Sequence, residues 1–470
     1  MAQYDFGIIG LGVMGQNLAL NVESKGFSVA GYDVDPAKAQ AARNKWAGKR
    51  ITAVASLQEL AASLARPRKI LLMVPAGKPV DAVLGELLPL LDRGDIVVDG
   101  GNSFFQDTDR RGRELEAAGI LYVGMGVSGG EEGALHGPSL MPGGSEEAYR
   151  LLEPILTRIA ARTDDGPCCA YMGKGGAGHY VKMVHNGMEY GIMQLIAESY
   201  DIMKRVLGMS AAEMQPVFAR WNEGPLSSYL IEITAHILAR MDPETGLPLV
   251  EVILDRAGQK GTGKWTSQNA LDVGVAIPTI HAGLEARILS AFKDERTQAA
   301  RVLLGPCKQF DGERDRFLGL LHDALRLAVV TSYAQGFALM REASREYGYG
   351  LRFAEIARTW KGGCIIRARL LDAIKTVFQE NADLANLLLD GRFAALVNEL
   401  HPALRAVVCA AAEHGVPCLG MAAALGYIDS YRSERLPANL IQAQRDYFGA
   451  HTYERVDKPR GQFFHTEWTA

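Results

Sequence analysis

The residues best equipped for chemistry fall in one stretch, His179-Tyr-Val-Lys-Met-Val-His-Asn-Gly-Met-Glu-Tyr190. Counted from Lys182, His185 stands at i+3, Asn186 at i+4, Glu189 at i+7 and Tyr190 at i+8. At 3.6 residues per turn these fall on one helix face, bringing an amine, an imidazole, an amide, a carboxyl and a phenol together. Val181, Met183, Val184, Met188 and Ile192 supply the packing surface around them. An amine and a carboxyl so placed can pass protons to and from a substrate, provided that the amine is neutral when it acts. An ordinary lysine, with a pKa of about 10.4, is almost wholly protonated at neutral pH. Partial desolvation, or a neighbouring cation such as a charged His185, would lower it. A merely solvated Lys–Glu stripe is the plainer alternative, and the added His-Asn-Tyr argues against it.

A second motif binds rather than reacts. Gly10-Leu11-Gly12-Val13-Met14-Gly15 is a G-x-G-x-x-G directly after an apolar strand candidate and at the opening of a helical stretch. In that context Gly10 permits the tight turn, Gly12 admits a pyrophosphate to the backbone, and Gly15 lets helix and strand pack closely. The helix N-terminus offers N–H donors to phosphate. The second strand ends at Tyr32-Asp33-Val34-Asp35. A carboxylate at Asp33 suits free ribose hydroxyls and repels a 2′-phosphate, so NAD is expected as cofactor, with NADP disfavoured. Asp35 is better placed to cap the helix that begins at Pro36.

These groups need a frame. At about 150 residues per domain, 470 residues suggest about three domains. Strand candidates Phe6–Gly10, 28–33, 69–74, 95–99 and 120–124 alternate with amphipathic stretches at 16–24, 36–46, 57–65, 79–90 and 108–118. Repeated strand–helix–strand order with nearly all-apolar strands predicts an α/β, Rossmann-type domain over residues 1–176, with a doubly wound parallel sheet. After the glycine cluster 173–178, long helical patterns at 179–207, 283–299, 316–347 and 402–414 predict a large all-α domain over 177–435. The aromatic, polar segment 436–470 reads as an extended tail that docks on something.

The lysine helix resembles the signature helix of the 6-phosphogluconate dehydrogenase family, the decarboxylating enzymes of the pentose phosphate pathway and gluconate utilisation. The resemblance extends to Val98-Asp-Gly-Gly-Asn-Ser103, Gly126-Val-Ser-Gly-Gly-Glu-Glu-Gly133, Gly258-Gln-Lys-Gly-Thr-Gly-Lys-Trp265, Gly362-Gly-Cys-Ile-Ile-Arg367 and the tail from Pro437 to Tyr453. It implies that Lys182 is the general base, then the general acid, and that Glu189 is the acid completing turnover. It implies substrate contacts from Asn102, Ser128, Gly129, Gly130, His185, Asn186, Tyr190, Lys260 and Arg287. Arg445 and His451 would serve the site of a partner subunit in a homodimer. It extends the cofactor contacts to Val74, Pro75, Ala76 and Asn102. The family's NADP-dependent members carry Asn-Arg-Thr where this chain has Asp33-Val34-Asp35, and Lys where it has Pro75, a departure that again points to NAD.

Two other readings stand beside this one. A related β-hydroxyacid dehydrogenase would oxidise without decarboxylating. Gly258–Lys264 nearly spells a phosphate-binding loop, with 250–254 as its strand, but Trp265 replaces the hydroxyl residue that a nucleotide hydrolase needs.

Charge is balanced, 50 basic against 54 acidic side chains, which argues against a nucleic-acid coat or a polybasic membrane patch. The six cysteines form no C-x-x-C pair and no metal-ligand pattern, and read as free thiols, Cys168 and Cys169 included. No metal is expected. With no apolar run of about 18 residues and no targeting segment, the chain reads as cytoplasmic.

Overall fold

Near-continuous apolar runs build the sheet that carries the glycine motif. In the computed structural model, which describes residues 3–259 and 261–469, seven strands run β1 Phe6–Ile9, β2 Val29–Tyr32, β3 Ile51–Ala53, β4 Lys69–Leu72, β5 Ile96–Asp99, β6 Leu121–Ser128 and β7 Ser139–Gly144. Their order is β3-β2-β1-β4-β5-β6-β7. The first six are parallel, and β7 lies antiparallel to β6. Interleaved with them are α1 Val13–Ser24, α2 Pro36–Lys45, α3 Leu57–Ser63, α4 Lys78–Leu87, α5 Phe105–Ala117, α6 Gly130–His136 and α7 Glu146–Ile159.

Alternation within each strand sends side chains to opposite faces. Ile8, Leu71 and Val98 join Leu18, Ala42 and Leu152 in one core. Ile9, Ile70, Leu72 and Val97 join Leu57, Leu60, Val80, Leu84 and Leu115 in the other. Both faces are thus covered, as apolar parallel strands require. The order reverses direction between β1 and β4, the crevice where doubly wound sheets bind ligands. The strands β3 and β7 were not in the sequence reading. The first has only three residues, and the second, Ser-Leu-Met-Pro-Gly-Gly, carries a proline and two glycines.

A short hairpin, β8 Arg162–Thr163 and β9 Gly166–Pro167, leads to the helices: α8 Ala177–Arg205, α9 Ala211–Trp221, α10 Tyr229–Ala239, α11 Leu249–Val252, α12 Thr262–Asp272, α13 Pro278–Ser290, α14 Lys293–Val302, α15 Arg314–Glu346, α16 Phe353–Thr359, α17 Leu370–Glu380, α18 Gly391–Glu413, α19 Leu419–Tyr431 and α20 Ala438–Gly449. The helix expected over 283–299 breaks at Ala291–Phe292. There Asp255 pairs with Lys293 at 2.6 Å and with Arg296 at 3.0 Å, and Arg296 also donates to the Ser290 carbonyl. Tertiary ion pairs, not a proline or glycine, restart the helix. Residues 249–252 are helical rather than a strand, which removes the frame of a phosphate-binding loop.

Among the described residues α18 is long and apolar enough to cross a membrane by length and composition. Its stripe Phe393, Val397, Leu400, Leu404 and Val407 is buried, and it packs against α15. The chain divides into two compact units, one up to Ala424 and one from Leu425 onward. The second contains α20 and the hairpin β10 Tyr453–Glu454 with β11 Phe463–Phe464.

Candidate active site

The glycine turn is built as its sequence implies. Gly10 has φ +98°, and a Cβ there would collide with the Met73 carbonyl. A Cβ at Gly15 would overlap the Gly10 carbonyl oxygen, whereas one at Gly12 would meet nothing within 4 Å. The protein's own packing thus demands Gly10 and Gly15 but leaves Gly12 facing open space. No side chain caps the N-terminus of α1, so its first amides stay available. This is the cradle a pyrophosphate fits. Leu11 is buried, Met14 half-buried and Val13 exposed. Tyr32 ends β2, Val34 is exposed, and Val74, Pro75 and Ala76 follow β4 on the same carboxyl edge of the sheet.

Asp33 has a task the sequence did not disclose. Its Oδ2 accepts the Leu11 N–H at 2.7 Å, tying the carboxylate to the glycine turn, and its Oδ1 accepts the Asp35 N–H at 2.9 Å. Asp35 caps α2 through the Ala37 N–H at 2.9 Å, as its position before Pro36 predicts.

Helix α8 approaches the sheet edge through glycines. A side chain on Gly126 of β6 would overlap Lys182 Cβ, and one on Gly178 would strike the Gly124 and Met141 carbonyls. Lys182 is consequently only 6% exposed. Its Nζ donates to Asn186 Oδ1 at 2.8 Å and lies 3.4 Å from His185 Nδ1. Asn186 in turn donates to Thr262 Oγ1 at 3.1 Å, at the start of α12. His185 is fully buried, edge-on to Trp360 with centroids 5.7 Å apart; its Nδ1 sits 3.0 Å from Asn186 Oδ1 and its Nε2 3.4 Å from Ser128 Oγ.

Burial drives the electrostatics. It lowers the Lys182 pKa from the ordinary lysine value, against the opposing pull of Glu189 and Cys364. It pushes Glu189 up, with Lys182 and Arg287 opposing. Burial and the Lys182 charge together hold His185 well below its usual range. His185 is therefore neutral and is not the cation that depresses Lys182; desolvation does that work.

Ser128 closes β6, and Gly129 and Gly130 follow with φ +116° and +63°. A Cβ on Gly129 would meet the Gly363 carbonyl oxygen at 2.6 Å. Farther along α8, Tyr190 carries the Arg287 guanidinium 3.6 Å above its ring, and Arg287 Nη1 donates to the Gly258 carbonyl at 3.0 Å. Asn102 is exposed in the turn after β5. Lys182, His185, Asn186, Glu189 and Tyr190 thus share one helix, with Ser128 against His185 and Arg287 against Tyr190. Lys260 lies outside the described residues. Arg445 and His451 belong to the second unit, both exposed, with His451 against the Phe448 ring. Thr262, Trp360 and Cys364 escaped the sequence reading. Thr262 and Cys364 lie inside quoted motifs and Trp360 two residues before one, but contact with the lysine helix is what singles them out. Among the described residues no cluster of three metal-ligating side chains occurs.

A glycine-cradled crevice on a doubly wound sheet, beside a helix presenting a buried amine and a protonatable carboxyl, defines a nicotinamide-dinucleotide-dependent hydroxyacid dehydrogenase. Residues 5–173 match the NAD binding domain of 6-phosphogluconate dehydrogenase, and residues 178–468 match the C-terminal domain of 6-phosphogluconate dehydrogenase. The chain is 56% identical to the decarboxylating 6-phosphogluconate dehydrogenase of Synechococcus elongatus, over all of both chains. It is 54% identical, again over all of both, to the NADP(+)-dependent decarboxylating enzyme of Bacillus subtilis. A solved Plasmodium falciparum 6-phosphogluconate dehydrogenase, described in apo form and in complex with its cofactor NADP+ and with its substrate 6-phosphogluconate, superposes with a TM-score of 0.95 at 43% identity. That match covers 99% of this chain and 100% of the other. The chain belongs to the decarboxylating 6-phosphogluconate dehydrogenase family.

The expectation of NAD as cofactor is corrected by these relatives, two of which are described with NADP+. It rested on Asp33 as a ribose acceptor and on Val34 and Pro75 standing where NADP-dependent members carry Arg and Lys. In the structure the Asp33 carboxylate also accepts the Leu11 and Asp35 amides, so an acidic residue there has a structural task that does not depend on which dinucleotide binds.

Proposed function

We propose that this protein oxidises 6-phosphogluconate at C3 and releases its carboxyl carbon as CO2, leaving ribulose 5-phosphate, with NADP+ as acceptor in keeping with the two relatives described with it. The observation that carries the reading is the burial of Lys182, which favours the neutral amine the first step requires. Bound in the glycine cradle, the dinucleotide supplies the hydride acceptor.

Neutral Lys182 takes the proton of the 3-hydroxyl, held for this by Asn186, with neutral His185 beside the same hydroxyl. Oxidation leaves a 3-keto acid. As the C1–C2 bond breaks, its electron pair moves toward the C3 carbonyl, and protonated Lys182 returns its proton to that oxygen. Glu189, its pKa raised by burial, holds a proton to deliver to the carbon that carried the carboxyl, which becomes C1 of the product. Ser128, Gly129 and Gly130 receive the sugar acid's carboxylate end, and Asn102 serves both substrate and dinucleotide. Tyr190, Lys260 and Arg287 receive the phosphate, joined by Arg445 and His451 from the partner in a homodimer. Residues 1–176 thus serve the dinucleotide, 177–435 the substrate and dimerisation, and 436–470 the neighbouring site. We read the enzyme as soluble and cytoplasmic.

The test is an absorbance assay at fixed 6-phosphogluconate with NADP+ and NAD+ side by side, with trapped CO2 and ribulose 5-phosphate measured among the products. Reduced dinucleotide without CO2 would instead indicate a hydroxyacid dehydrogenase that does not decarboxylate.

A further inference from the structure

Among the described residues, the chemistry above leaves one fully buried cation unused. Arg111, on the second turn of α5, has a side chain with 0% exposure. Its Nε and Nη2 donate to Asp81 on the first turn of α4, at 2.8 and 3.1 Å. Its Nη2 also donates at 3.0 Å to the carbonyl of Gly77, the residue that ends the turn Val74-Pro-Ala-Gly. Its Nη1, buried without a hydrogen-bond partner among the described residues, faces Asp99 Oδ2 at 3.7 Å. Asp99 ends β5 and holds the next turn. Its Oδ1 accepts the Gly101 N–H at 3.0 Å, and its Oδ2 accepts the Ser103 hydroxyl at 2.6 Å and the Tyr122 hydroxyl at 3.3 Å.

The two turns leave neighbouring parallel strands, β4 and β5, at their carboxyl ends. They also touch, since a Cβ on Gly101 would stand 3.0 Å from the Val74 carbonyl oxygen. One guanidinium therefore lies behind both the 74–77 turn and the turn carrying Asn102. A planar fork can serve a carbonyl, a carboxylate and a second carboxylate at once, which the single point charge of a lysine cannot.

We propose that Arg111 is a positioning residue that locks the 74–77 and 100–103 turns into one wall for the reactive end of the dinucleotide. This rests on the proposed function, in which that end lies against Val74–Ala76 and Asn102. Buried as it is, Arg111 acts only through the two turns. Hydride transfer demands reacting atoms about 3–3.5 Å apart in alignment. Slack in this wall therefore slows the chemical step and weakens the dinucleotide's hold, while of the substrate's contacts it disturbs Asn102 alone.

The test is Arg111→Lys in the full-length enzyme, with 6-phosphogluconate deuterated at C3 as the probe of hydride transfer. The expected result is a loss of about 10- to 100-fold in kcat/KM for the dinucleotide. The primary isotope effect on kcat should grow, and the Kd for 6-phosphogluconate measured without dinucleotide should change by no more than about 2- to 3-fold, since only its Asn102 contact is loosened. Wild-type kcat/KM and isotope effect in a folded Arg111→Lys enzyme would overturn the proposal, as would an equal loss of 6-phosphogluconate affinity. If that variant does not fold, Asp81→Asn decides, because its side chain is 41% exposed. The same selective pattern, weaker, supports the proposal, and wild-type constants overturn it. A wild-type enzyme that reduces no dinucleotide with 6-phosphogluconate would refute the proposed function itself, so the two failures are separable.

Discussion

Lys182 Nζ donates to Asn186 Oδ1 one helical turn further along α8, at 2.8 Å, and the same amide donates from its Nδ2 to Thr262 Oγ1 on α12. Because Asn186 is neutral, it orients the amine while stabilising its charge far less than a carboxylate would. Replacing it by aspartate would set a carboxylate beside a desolvated ammonium and favour the protonated form. Asn186→Asp should therefore move the acid limb of the kcat/KM profile about one pH unit or more toward alkaline values. A pH–rate series on both enzymes measures it.

In the proposed mechanism Lys182 must lose its charge to act, so a permanently charged substitute should fail even with its hydrogen bonding largely kept. Lys182→Arg should lower kcat by about 10²–10⁴-fold, with little change in the melting temperature. In the wild type, kcat/KM should fall as pH drops through the Lys182 pKa, which burial places below the ordinary lysine value.

Glu189 enters late in the proposed sequence. Glu189→Gln should leave the first hydride transfer nearly intact and slow the final protonation. Stopped-flow absorbance should show a burst of reduced dinucleotide followed by a steady state slower by about 10²-fold or more. Absence of a burst would assign Glu189 to the earlier step.

Asp33 ties the glycine turn to the end of β2 by accepting the Leu11 amide, and its other oxygen accepts the Asp35 amide. Asp33→Ala should cost about 1–3 kcal/mol of stability and raise KM for NADP+ and NAD+ together. A change in the ratio of the two KM values with unchanged stability would instead make Asp33 a reader of the ribose.

Asp446 organises the second unit. It accepts the Thr452 and Thr466 amides, His465 Nδ1 at 2.9 Å and the Trp468 indole N–H at 2.9 Å. Burial opposes its ionisation, but hydrogen bonds from His465, Trp468 and Thr466 prevail and hold its pKa down at about 2. The His465 pKa is raised in return, chiefly by the hydrogen bond to Asp446. The Asp446 contribution is complete above the ordinary aspartate pKa and is lost as pH falls toward about 2. The His465 contribution is complete below the ordinary histidine pKa and is lost as pH rises through its elevated value. Trp468 fluorescence and amide exchange at Thr452 and Thr466 should follow this window. Asp446→Asn should open the unit and, on the proposed function, in which the neighbouring Arg445 and His451 receive the phosphate, raise KM for 6-phosphogluconate.

Local order was legible in the residues themselves. Apolar runs marked five of the seven main strands, the 3.6-residue period put Lys182, His185, Asn186, Glu189 and Tyr190 on one face, and Asp35 before Pro36 announced a cap. These features depend on neighbours a few positions away, which a linear string displays. Tertiary structure decided which of those groups lost their water and who their partners are. Glycines on β6 let α8 press Lys182 into a dry site, so desolvation rather than a charged His185 lowers its pKa. The Leu11 amide, brought within reach by the β1–β2 pairing, binds the Asp33 carboxylate and gives it a structural task that the linear string does not show. Asp255, from ahead of α12, pairs with Lys293 and Arg296 where α13 gives way to α14, and β7 turned antiparallel against β6. Burial and pairing are set by segments tens to hundreds of residues apart, and no local periodicity records which of them will meet.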